Sequence, residues 1–196
     1  MHKIVTGARC GAALLSILVV IGFVRPASAD LNGPLENAMM TMMKGGSYHF
    51  DMTSVIGGST ETNSGDVASL SPLRMRATMT SPQMGTMEMI LLPSAGYMKM
   101  GSGAWQKLPG ASAIGFSQMD VASMMAKDRA QLTVVDLGMQ LKDGAMLHAY
   151  RVTDSARKIT ETVYLDGAGR IARLEAPRLV MRFSKYGEPV NIAAPI

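Results

Sequence analysis

Methionines crowd the stretch from Leu73 to Trp105, and their thioethers could do one of two things. Thioether sulfur is a soft donor that suits Cu(I), and Met87, Met89 and Met100 are placed to converge on such an ion. Methionine is also a flexible, polarizable filler, and a wall built from it adapts to a variable apolar guest. Ordinary core packing is the plain alternative, since Met fills gaps where Leu would otherwise stand. Other chemistry is weakly represented. His49 and His148 lack partners at zinc-ligand spacing, and His49 sits beside Asp51 as a solvated pair. Gly101-Ser102-Gly103 reads as a turn rather than a nucleophile elbow, no carboxylate pair suits glycoside chemistry, and Gly57-Gly58 with Gly65 forms no phosphate loop. The reading is non-enzymatic, with no cofactor and no resident metal.

These methionines need strands to carry them. Leu73, Met75, Ala77 and Met79 alternate with Arg74, Arg76 and Thr78, and Met87, Met89 and Leu91 continue the pattern. Period-two alternation puts the apolar set on one sheet face and the polar set on the other. Arg74 and Arg76 then line a solvated face, or one that meets anionic headgroups at a membrane. Pro93–Gly96 reads as a four-residue hairpin loop pairing Leu92 with Tyr97, Leu91 with Met98 and Met89 with Met100.

The remaining elements follow from similar signals. Pro34, with Leu35, Ala38, Met39, Met42 and Met43, gives a helix closed by Gly45-Gly46. Tyr48, Phe50 and Met52 share the apolar face of a strand. Residues 60–69 read as a polar edge strand. A second helix is signalled by Ser117 and Asp120, with Val121, Met124 and Met125 on its stripe. Four hairpin-linked strands occupy roughly 132–141, 145–153, 159–165 and 170–176, followed by a last one at 178–183. The expected fold is α+β: a curved antiparallel sheet, a half-open β-barrel, with two or more helices covering its concave face.

The first 29 residues read as a cleavable export leader. Lys3 and Arg9 precede an apolar run from Cys10 to Val24, and Ala27-Ser28-Ala29 sets cleavage before Asp30. The expected location is therefore periplasmic or secreted. Cys10 stands at the start of the apolar run rather than just after it at the cleavage point, so no lipid anchor is expected, and 30–196 carries no thiol. The whole chain has 19 basic and 15 acidic residues. The leader takes Lys3, Arg9 and Arg25, which leaves 16 against 15. Near-neutral charge argues against nucleic acid, whose phosphates demand clustered cations. Residues 30–196 are expected to form a single domain.

Four local patterns carry a family resemblance. Tyr97 with Trp105-Gln106-Lys107 is the first. Asp143-Gly144 leading to His148-Ala149-Tyr150-Arg151-Val152 is the second. Tyr164-Leu165-Asp166 with Gly169-Arg170-Ile171 is the third, and Tyr186-Gly187-Glu188-Pro189-Val190-Asn191-Ile192 with Pro195 closes the set. In this order they resemble the LolA-like lipoprotein-carrier superfamily and its LppX/LprG-type relatives, without a lipobox cysteine. The resemblance implies a half-open barrel whose concave side, lidded by helices, holds acyl chains of a lipid or acylated lipoprotein. On this reading Phe50, Met52, Met75, Met79, Met87, Met89, Leu91, Met98, Met100 and Trp105 line a Met-rich hydrophobic cavity of a periplasmic binding or carrier protein, with transient membrane contact through the arginine face. A Met-rich Cu(I)-binding protein and a non-enzymatic envelope sensor or interaction protein are the alternatives. Oligomeric state is left open.

Overall fold

Alternating apolar and polar residues build one continuous antiparallel sheet of 11 strands. The computed structural model describes residues 33–44, 46–70, 72–108, 132–156 and 158–195. The leader and the second helix expected near Ser117–Met125 lie outside the described residues. Helix α1 (Pro34–Lys44) comes first. The strands are β1 (Tyr48–Ile56), β2 (Ser59–Leu70), β3 (Leu73–Ser81), β4 (Gly85–Leu92), β5 (Ala95–Met100), β6 (Gln106–Lys107), β7 (Leu132–Lys142), β8 (Ala145–Asp154), β9 (Ile159–Leu165), β10 (Ile171–Ala176) and β11 (Leu179–Ser184). Their spatial order is β6-β5-β4-β3-β2-β1-β11-β10-β9-β8-β7. Two hairpin meanders are thus joined where β1 pairs with β11, and among the described residues β6 and β7 are the edges.

The sheet is curved and not closed. Its main buried cluster collects Met75 and Met89 from one wing and Tyr150 and Val163 from the other. Leu35, Ala38, Met39 and Met42 of α1 join that cluster. Their i, i+3, i+4, i+7 spacing makes one helical stripe, and the helix packs along β10. A flat sheet could not bring such distant strands onto one small helix, so the concave face wraps α1. This is the expected half-open barrel, with one helix among the described residues.

The back of the sheet is covered by the chain's own end. After β11, residues 188–192 lie against the convex face, beside His49, Asp66 and Arg76 and then Ile90 and Tyr97. Ile192 is buried with Ile90, Ala95 and Tyr97, while Val190 and Trp105 pack at the margin. Tyr186, before this segment, still packs against the concave cluster, donating its hydroxyl to the Ile171 carbonyl at 2.6 Å and lying 5.8 Å from the Tyr48 ring. The tight hairpin at Asp143-Gly144 follows turn chemistry, since both residues take left-handed φ, 49° and 82°.

Two expectations are corrected. The strand at 60–69 is not an edge; β2 lies between β1 and β3. Its low apolar content is tolerated because neighbours supply the bulk. A Cβ on Gly65 would sit 2.8 Å from the Phe50 ring and 2.4 Å from the Arg76 carbonyl oxygen. Gly65 therefore gives Phe50 a place to lie. The β4–β5 loop is also shorter than expected. Leu92 pairs with Ala95, Ile90 with Tyr97, Met89 with Met98 and Met87 with Met100. Only Pro93 and Ser94 turn the chain, because Ala95 and Gly96 extend the strand, Ala95 packing with Ile90 and Ile192 and Gly96 lying close to Leu91 and Leu108. The shift is by two residues, so every side chain keeps its expected face.

Candidate functional site

Strand register converts scattered methionines into a row. Met181 (β11), Met52 (β1), Asn63 (β2), Met79 (β3), Met87 (β4) and Met100 (β5) each face the next across neighbouring strands. A second row runs Phe183, Phe50, Gly65, Ala77, Met89, Met98. Residues opposite each other in an antiparallel pair hold their Cβ atoms about 5 Å apart, so each row is a continuous band.

The structure gathers most of the expected lining residues. Phe50, Met52, Met75, Met79, Met87, Met89 and Leu91 are all buried in the main cluster, and Met98 is half-buried against it. Met100 shares their face but is 43% exposed at the wing. Trp105 does not join them. It packs on the convex side with the Ile90 and Tyr97 cluster, and Lys99 Nζ stands 5.3 Å above its ring. The residue lies between β5 and β6, outside either strand, so the alternation of β5 does not carry it onto the concave face.

The concave face stays apolar beyond its buried centre. On the β7–β8 wing Met139 pairs with His148 and Leu141 with Met146. These share the face of Tyr150 and Val152 by alternation. Met139, Leu141 and Met146 are 55%, 68% and 54% exposed. His148 stacks on Tyr150 at 4.7 Å and contacts Asp136 at 2.7 Å.

One end of the same face is polar, and sequence reading missed it. Ser54, Glu61, Asn63 and Ser81 are buried there, with Ser81 Oγ donating to Glu61 Oε1 at 3.3 Å. Asn63 is 2% exposed, and neither its Nδ2 nor its Oδ1 has a partner. Glu161 (β9) is likewise buried with Oε1 unpartnered. Burial, helped by the charge of Asp154, pushes its carboxyl up to about 8, so it is largely neutral at pH 7. The available signal was the phase of β2, where Glu61, Asn63, Gly65 and Val67 alternate onto the inner side.

The convex face carries charges. His49 pairs with Asp66, Nδ1 to Oδ1 at 2.7 Å, rather than chiefly with Asp51 at 3.5 Å. Arg76 donates to Asp66 at 2.8 Å, and Ser64 Oγ lies 3.2 Å from His49 Nε2. Burial works against Asp66 ionising, but hydrogen bonds from His49 and Arg76 hold its pKa below the usual range. His49, Asp66 and Arg76, with Lys185 and Glu188, line an open pocket of about 220 Å³. Ser64, His49 and Asp66 follow the order of a nucleophilic relay. However, the Asp51 carboxylate faces the same histidine nitrogen, and Arg76 is engaged by Asp66 instead of being free for an oxyanion. The group acts as a cross-strand ion-pair network.

Neither a protein-family model nor a curated protein matches the chain in sequence. Solved structures do match in shape. The lipoprotein LppX of Mycobacterium tuberculosis superposes with a TM-score of 0.60 at 17% identity, covering 82% of this chain and 96% of that one. The chain has the LppX fold. MucB superposes with a TM-score of 0.52 at 14% identity over 86% of this chain, which spans 62% of MucB's length. MucB of Pseudomonas aeruginosa is also known in complex with MucA, and that structure matches at 0.52 and 13% identity, covering 79% of this chain and 56% of that one. The LppX match agrees, as to fold, with the resemblance carried by the four sequence patterns.

Proposed function

We propose that this protein is a non-enzymatic periplasmic carrier that binds the acyl chain of a lipid or lipoprotein against its concave face. One observation carries the reading: the apolar concave surface continues past its buried centre to exposed Met100 on one wing and to Met139, Leu141 and Met146 on the other. A folded chain gains nothing by presenting such a surface to water, whereas a hydrocarbon guest covers it. Each acyl methylene buried contributes about 0.8 kcal/mol before ordering costs, so a long chain is held firmly yet remains exchangeable. The LppX-like fold supports the reading, and the leader-like first 29 residues support the periplasmic location. Arg74 on the outer face is a candidate for transient contact with anionic lipid headgroups.

The test replaces Met98 and Met100 by Lys together, since both stand on the concave side of β5 without being deeply buried. Acyl-probe affinity should fall at least about tenfold with an unchanged melting curve. Retained affinity in the folded variant would refute the carrier reading. The row Met79–Met87–Met100 favours soft-cation binding as a second reading. Anaerobic titration with Cu(I) separates the two, a tight stoichiometric complex favouring the metal.

A further inference from the structure

The polar end of the concave face says what kind of guest the carrier takes. Asn63 is nearly inaccessible, flanked in register by Met52 and Met79, and both ends of its carboxamide lack partners. Leaving a buried donor and acceptor unmatched is costly, and a folded protein rarely carries both on one side chain without using them. Nearby, the Glu61 carboxyl, two residues back on the same face, is already met by the Ser81 hydroxyl. The neighbouring side chains that flank Asn63 are thioethers, which cannot replace two amide hydrogen bonds.

We propose that Asn63 is the polar anchor of the ligand site and that it selects an acyl chain carrying a neutral amide. The inference rests on the carrier reading and narrows it. An amide is the complement of a carboxamide: its carbonyl accepts from Asn63 Nδ2 while its N–H donates to Oδ1, closing a paired set of bonds. A free fatty acid fits less well. Its carboxylate has no donor for Oδ1, and it would sit beside the Glu61 carboxyl. Buried hydrogen bonds that must otherwise go unmade discriminate more sharply than apolar contact does. The tail then lies along the methionine row towards Met87 and Met100, with its polar end at β2.

The experiment uses the full chain and N-phenyl-1-naphthylamine as an apolar fluorescent probe, displaced by hexadecanamide or by hexadecanoate. Wild type should bind the amide roughly tenfold more tightly than the carboxylate, the difference expected from one well-made buried hydrogen bond. Asn63→Leu should erase that preference, with circular dichroism reporting an intact sheet. Asn63→Ala, which adds no bulk, should give the same result and guards against a packing effect of leucine. Uptake of the probe by wild type with an unchanged amide preference in both variants would overturn the role of Asn63 alone. Failure of wild type to take up either the probe or the amide would overturn the carrier reading, and the anchor with it.

Discussion

Replacing Glu161 by Gln should change how stability depends on pH. In the fold this carboxyl ionises near pH 8, because burial and the neighbouring Asp154 disfavour its charge. In the unfolded chain it ionises near its ordinary value of 4.5. Below pH 4.5 both states are protonated and the group costs nothing. Between 4.5 and 8 unfolding releases a proton, so stability falls as pH rises, and above 8 the loss is complete. The slope attributable to this one group is about 1.4 kcal/mol per pH unit, or about 4 kcal/mol from pH 5 to 8. Glutamine keeps the shape and cannot ionise. Urea unfolding of both proteins at pH 5, 6, 7 and 8, followed by circular dichroism, gives the stability difference at each pH. That difference should widen in favour of the variant as pH rises. Every other ionisable group is present in both proteins, so its contribution cancels in the difference. A difference that stays constant with pH would show that Glu161 is not a buried neutral acid, and the account of this end of the concave face would fail.

Two further substitutions probe the sheet. Gly65→Ala should destabilise the protein by about 1–3 kcal/mol in chemical denaturation, because the new methyl meets the Phe50 ring and a strand carbonyl with no room to relax. Trp105→Ala should leave acyl-probe affinity unchanged, since the indole lies on the convex side. A large loss of affinity there would put the ligand on the wrong face.

Much of this architecture is legible in the residue pattern, and the failures have physical causes. The β3–β4 methionines were readable because period-two alternation has few interpretations when Arg and Thr fill the other phase. The β4–β5 register was misjudged by two residues, since Pro93–Gly96 contains turn formers throughout and nothing local says that Ala95 and Gly96 will be drawn into the strand. The error did no harm to the faces because it was even. Trp105 was misplaced because it stands outside a strand, where alternation no longer fixes direction. β2 was misread for a different reason. Its polarity marks an edge only if each strand must supply its own apolar bulk, and here Phe50 reaches over Gly65 to supply it. Asn63 escaped notice with the rest of β2: an isolated asparagine in a polar strand is unremarkable until its neighbours turn out to be thioethers.

The closing segment from Tyr186 to Ile192 has a mechanical consequence. It is fastened at Tyr186 on the concave core and at Ile192 behind β4 and β5, so it ties the two faces of the sheet together like a tendon. Flattening that wing would pull Ile192 out of its seat. The curvature of that wing is thus held from behind, by a segment that lies outside the sheet's own hydrogen bonds.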